Sequence, residues 1–117
     1  MKDQNTLCQE LLDLGFKEYG NYSVPRMRSF FGKPLEGLPD CEQNGMPPSM
    51  HVNCYPNRDG NSPVEFEIYG EIRGRCLKAL VYSVTSNEAI EFLPQAQKAA
   101  RALWQAFADS LAEDSAA

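Results

Sequence analysis

The sequence predicts a two-layer α+β domain: an antiparallel meander of three to four strands, with an N-terminal helix and a long C-terminal helix packed on one face. Three observations carry this. Residues 63–72 alternate apolar and polar as a half-buried strand does, residues 75–84 repeat the pattern after a short turn, and apolar residues then recur at helical spacing as far as Leu111. Two helices on one face of such a sheet share a single core and leave the opposite face uncovered.

In the first strand, Val64, Phe66, Ile68 and Ile72 fall on one side, and Glu65, Glu67, Tyr69 and Glu71 on the other. A two-residue turn at Arg73-Gly74 pairs Ile72 with Arg75, Glu71 with Cys76, Ile68 with Ala79 and Phe66 with Val81. That register places Leu77, Ala79 and Val81 on the core side, whereas a slip of one residue would bury Lys78. Thr85-Ser86-Asn87-Glu88 then forms a capping box ahead of the helix, whose apolar side collects Leu93, Ala96, Ala100, Leu103, Trp104, Phe107 and Leu111. Pro94 either kinks this helix or divides it from a short turn at residues 87–92.

The first helix spans Thr6 to Leu14, with Leu7, Leu11 and Leu14 on one face. Gly15 stops it, and Phe16 is free to fold back onto Leu11. Residues 16–31 are extended but irregular, with a turn at Gly20-Asn21 and a strand at residues 23–31. Pro25 restricts that strand to a sheet edge or a bulge. Residues 32–49 contain four prolines and three glycines and form a long loop, which Leu35, Leu38 and Met46 can tack to the domain. Met50–Tyr55 is the next strand, with Met50, Val52 and Cys54 inward and His51, Asn53 and Tyr55 outward. The turn-forming residues 57–62 link it to the hairpin. One domain therefore occupies residues 1–112, with a fraying acidic tail at 113–117.

At 117 residues the chain suits one modest core, and 43% hydrophobic composition is that of a globular protein. No charged start precedes an apolar run, which predicts a cytoplasmic protein with no membrane segment. The net charge of −5 is unevenly placed. Residues 1–14 carry −2, residues 15–78 balance eight basic against eight acidic groups, and residues 79–117 carry −3. The middle is neutral and the helical ends acidic, which argues against binding a nucleic-acid backbone or an anionic membrane. Cys8, Cys41, Cys54 and Cys76 show no disulfide or zinc spacing. Cys41, His51, Cys54 and Cys76 are conceivable metal ligands, but without a C-x-x-C knuckle, reduced thiols and no metal are the expectation. No phosphate loop, nucleophile elbow or cofactor motif is present, and no cofactor is expected.

The uncovered face is where function is expected. If the strands neighbour in chain order, it displays Arg26 and Arg28, then His51, Asn53 and Tyr55, then Glu65, Glu67, Tyr69 and Glu71, then Lys78, Leu80 and Tyr82. Tyrosines and a leucine on a charged sheet suit an interface, though the same residues also serve as cross-strand pairs on a solvated face. Arg26 and Arg28 read either as charges protecting an edge or as contacts to an acidic partner. The leading expectation is a small acidic non-catalytic interaction or regulatory protein. It would bind a protein partner, or itself as a homodimer, through Tyr55, Glu65, Glu67, Tyr69, Leu80, Tyr82, Arg26 and Arg28 or through the sheet edge.

Two alternatives come from other classes. The helix–strands–helix order resembles the double-stranded RNA-binding domain in outline, which would imply nucleic-acid binding. The start of the last helix, where phosphates need a basic run, reads Glu88-Ala89-Ile90-Glu91. An enzyme would use His51 as general base with Glu65 or Glu67 to orient it, and Cys54 or Cys76 as nucleophile.

Overall fold

Helix α1 (Gln4–Asp13) starts where the Asp3 carboxylate accepts the Thr6 backbone N–H at 2.8 Å. It ends in a Schellman motif: the Gly15 N–H donates to Leu12 and the Phe16 N–H to Leu11, both at 3.0 Å, with Gly15 at φ +96°. Five strands come next: β1 (Lys17–Tyr19), β2 (Arg28–Pro34), β3 (Ser49–Cys54), β4 (Pro63–Ile72) and β5 (Arg75–Thr85). Helix α2 (Ser86–Ala116) completes the chain. The computed structural model describes residues 2–20, 25–35, 37–38, 48–56, 62–72 and 74–116, with the backbone alone for 114–116.

The strands form one antiparallel sheet in the order β1-β2-β3-β4-β5, the expected meander with one strand more than the sequence predicts. The extra strand is β1, whose three residues are too few to show a period. The expected strand at 23–31 begins only at Arg28, because Pro25 and Arg26 form a turn in which Arg26 takes φ +64°. Strand β2 then runs on to Pro34, into the stretch expected to be loop. The expected turns at Gly20-Asn21 and 57–62 and most of the loop, with Met46, fall largely outside the described residues.

The α-helical layer covers one face in two halves. Leu7, Cys8 and Leu11 of α1 meet Phe30, Met50, Val52, Cys54, Val64 and Phe66, with Ala89, Leu93 and Ala96 from the first turns of α2. Farther along, Ala100, Trp104 and Ala108 cover Ile68 and Ile72, and Leu35 joins them as expected. Burying Phe66, Ile68, Phe30 and Trp104 completely removes roughly 2 kcal/mol of apolar exposure per side chain. Helix α2 is one helix with Pro94 inside it, not two. The hydroxyl of Ser86 at its start tethers distant chain: it accepts the Ser62 N–H at 3.0 Å and donates to the Lys2 carbonyl at 2.5 Å. Leu103, expected in the core, is 39% exposed, because the buried stripe runs Ala96–Ala100–Trp104–Ala108 and leaves Leu103 on the flank of the helix.

Candidate functional site

The register decides which side chains share the uncovered face. Phe31, His51, Glu67 and Leu80 lie in one row across β2 to β5, and Ser29, Asn53, Glu65 and Ser83 in the next. Ser49, Tyr69 and Lys78 form a third row, and Tyr19 on β1 opposes Ser29. The pairings expected from Ile72–Arg75 through Glu67–Leu80 are therefore present. Beyond them the ladder slips: Phe66 pairs with Tyr82 rather than Val81, so Val81 is the extra residue of a bulge.

The bulge moves Tyr82 to the helix side. There its ring meets Phe92 of α2 edge-on, with centroids 4.7 Å apart, and Ser83 takes the place opposite Glu65 that regular alternation assigns to Tyr82. The arginines also leave the open face. Arg28 opposes Cys54 on the helix side, where its Nε and Nη2 donate to both Glu18 oxygens at 2.8 Å and its Nη1 to Asn5 at 3.4 Å. The Glu18 carboxylate raises the Arg28 pKa and is itself held below the usual carboxylate range by that pairing. Arg26 lies in the turn, with its carbonyl accepting from the Gln4 amide at 2.7 Å. Glu18 claims the Arg28 guanidinium and Arg26 lies in the turn outside the sheet, so the two do not stand side by side on the open face.

What remains on the open face is a connected set of polar and aromatic groups. The Tyr19 hydroxyl and His51 Nδ1 are 2.9 Å apart, and His51 Nε2 is 3.2 Å from the Ser49 hydroxyl. The Ser29 hydroxyl donates to Asn53 Oδ1 at 2.8 Å, and Asn53 Nδ2 donates to Glu67 Oε1. The Tyr55 hydroxyl donates to Glu65 at 2.5 Å, which pushes the phenol up to about 12. The His51 ring sits between Tyr19 and Tyr69, at centroid distances of 5.4 and 5.6 Å. Burial lowers the His51 pKa and nearby Lys78 lowers it further, so the imidazole is neutral at pH 7. Tyr19 is held protonated, chiefly by burial.

These side chains wall a depression of ≈ 390 Å³ lined by Tyr19, Gly20, His51, Asn53, Glu67, Tyr69 and Lys78. Tyr19 is the residue that sequence reasoning missed, and its place in so short a strand left no periodic signal. Of the residues expected to bind a partner, Tyr55, Glu65, Glu67, Tyr69 and Leu80 lie on this face, while Tyr82, Arg26 and Arg28 do not. His51 and Glu67 oppose one another across β3 and β4 and line the same depression, but among the described residues no hydrogen bond links His51 to Glu65 or Glu67. Both imidazole nitrogens engage Tyr19 and Ser49, while Glu65 holds Tyr55 and Glu67 holds Asn53. The conceivable metal ligands are also separated: Cys54 is buried on the helix side beside Cys8, whereas His51 points to the opposite face and Cys41 lies outside the described residues.

The other exposed feature is the β5 edge. All eleven residues of Arg75–Thr85 have a strand on one side only. Of the five exposed large hydrophobic residues among those described, Leu80 and Tyr82 lie on this strand, while Leu12 and Leu14 lie at the end of α1. The fifth, Leu103, stands eleven residues beyond Phe92, about three turns, and so shares the helix flank that touches Tyr82. No described helix is long and apolar enough to cross a membrane. No family model, curated protein or solved structure matches the chain.

Proposed function

We propose that the protein is a non-catalytic interaction protein that binds a protein partner on its open sheet face. The observation that carries this reading is the ring-walled depression between Tyr19, His51 and Tyr69, whose polar groups are already held in place. Groups fixed before binding lose little conformational freedom on contact, which favours affinity. Rings supply contact area and the Glu67 carboxylate supplies an acceptor. The depression therefore suits a partner side chain with an apolar stem and a hydrogen-bond donor at its tip. Leu80 and Tyr55 extend the surface on either side of Glu67 and Glu65. Glu65, Glu67 and Glu71 on the same strand count against phosphate backbones as the ligand.

The test is site-directed photocrosslinking in the native host. A benzophenone amino acid replaces Tyr69 in one variant and Gln105, on the exposed side of α2, in another. The expected result is a discrete adduct from position 69 alone, lost when His51→Ala and Glu67→Ala are added. Equal adducts from both positions, or none from either, would overturn the reading.

A further inference from the structure

We infer that the β5 edge, together with the adjoining flank of α2, is a homodimer interface that joins two copies into one ten-stranded sheet. Edge strands left unpaired are ready templates for another strand, and antiparallel pairing of a strand with its own copy is self-complementary about a twofold axis. Three features of this edge select a second copy as the occupant.

The first is charge. Two chains of net charge −5 repel one another, so contact between them needs a surface without acidic groups. Strand β5 supplies one: Arg75–Thr85 contains Arg75 and Lys78 and no Asp or Glu. The helix flank between Phe92 and Ser110 is also uncharged, reading Phe92, Gln95, Ala99, Leu103, Ala106 and Ser110 at successive turns.

The second is area. Nine paired residues of strand extend about 31 Å, and the thinnest extent of the molecule is 22 Å. The edge thus offers roughly 700 Å² per copy, within the roughly 600–1,000 Å² that stable specific interfaces bury on each side.

The third is the fit of the helical layer. Helix α2 packs on β4 and β5. If its axis lies over the groove between them, pairing two edges at a strand spacing of about 4.8 Å separates the two α2 axes by roughly 10 Å. That is the distance at which helices pack when small residues line the contact, as Ala99 and Ala106 do here. Leu103, Tyr82 and Leu80, exposed in one copy, are then covered by the other.

Lys78 narrows the choices of register. An axis through Lys78 would set two ammonium groups directly opposite one another. An axis at Ala79 avoids this and pairs residues 75–83 of the strand with their copies.

The decisive measurement is solution mass by light scattering together with cross-linking. The native chain is expected at twice its 13.1 kDa. Leu103→Glu and, separately, Leu80→Lys are expected to give monomers with native circular dichroism, while Leu12→Glu, equally exposed but on α1, stays dimeric. In a Cys41→Ser/Cys76→Ser background, Ala79→Cys is expected to form an intermolecular disulfide on mild oxidation. A monomeric native chain, or a dimer untouched by both edge variants, would overturn the inference. Because Leu103→Glu changes no residue of the open sheet face, a Leu103→Glu monomer that still crosslinks a partner from position 69 would leave the proposed function standing.

Discussion

Gly70→Ala is the substitution whose cost the structure sets most directly. Gly70 interrupts the inward row of β4 between Ile68 and Ile72, where the alternation calls for a large apolar residue. A Cβ built there would stand 2.7 Å from Trp104 Cζ3 and 2.8 Å from Pro48 Cα. The indole could tilt by a few tenths of an ångström, although it is fully buried and lies against Phe107 at a centroid distance of 5.7 Å. Pro48 cannot yield so easily, because the atom in contact is backbone and its carbonyl accepts the Leu35 N–H at 2.8 Å. Overpacking of this kind costs about 1–3 kcal/mol. Removing the unfolded-state freedom of glycine returns about 0.4–1 kcal/mol. The net destabilisation is about 1–2 kcal/mol, a fall in Tm of roughly 4–8 °C for a domain of this size. Thermal unfolding monitored by circular dichroism at one fixed protein concentration measures it, since any self-association makes Tm concentration-dependent. Adding Trp104→Phe should recover part of the loss by coupling, but not all of it, because Pro48 stays in place. An unchanged or higher Tm for Gly70→Ala would refute the packing described between β4, Pro48 and Trp104.

Two further outcomes are expected. Asn53→Leu removes a group that is 4% exposed and bridges Ser29 to Glu67, so it should lower stability by about 1–3 kcal/mol in urea unfolding, and Asn53→Leu with Ser29→Ala should cost less than the two separately. His51 has a folded pKa below the unfolded value of about 6.5, so its contribution is fully present above that pH. It is lost as pH falls, when the unfolded chain takes up a proton that the fold resists. His51→Gln should therefore flatten the pH dependence of stability between about pH 5 and 7 while leaving the loss at lower pH, which Glu18 and Asp3 share because their folded pKa values are also lowered. An unchanged slope in that window would contradict the half-buried, neutral imidazole.

Much of the fold was legible because its signals are local. The alternation of Val64, Phe66 and Ile68 and the return through Leu77 and Ala79 fixed the hairpin. The helical recurrence through Leu93, Ala96, Ala100 and Trp104 placed α2 over it. The Gly15 stop and the return of Phe16 toward Leu11 arise from the same short-range chemistry. Strand β1 was not legible. Three residues carry no period, and Lys17–Tyr19 become a strand only because β2 supplies hydrogen-bonding partners.

Residue pattern alone settles which faces are apolar, that one sheet face lacks a cover, and that acidic charge gathers at the helical ends. Tertiary packing selects which side chains stand on the uncovered face. Alternation assigns a residue to a face only while the ladder stays regular, and one extra residue, Val81, reverses the assignment of the rest of β5. Packing sets where that residue is inserted: Tyr82 gains Phe92 on the helix side, and Ser83 is left beside Glu65. The turn at Pro25 and Arg26 likewise delivers Arg28 to Glu18 on the helix side, out of reach of a partner on the open sheet. The Tyr19–His51–Tyr69 depression exists only when residues more than thirty positions apart are brought into one sheet, so no short stretch of the chain announces it.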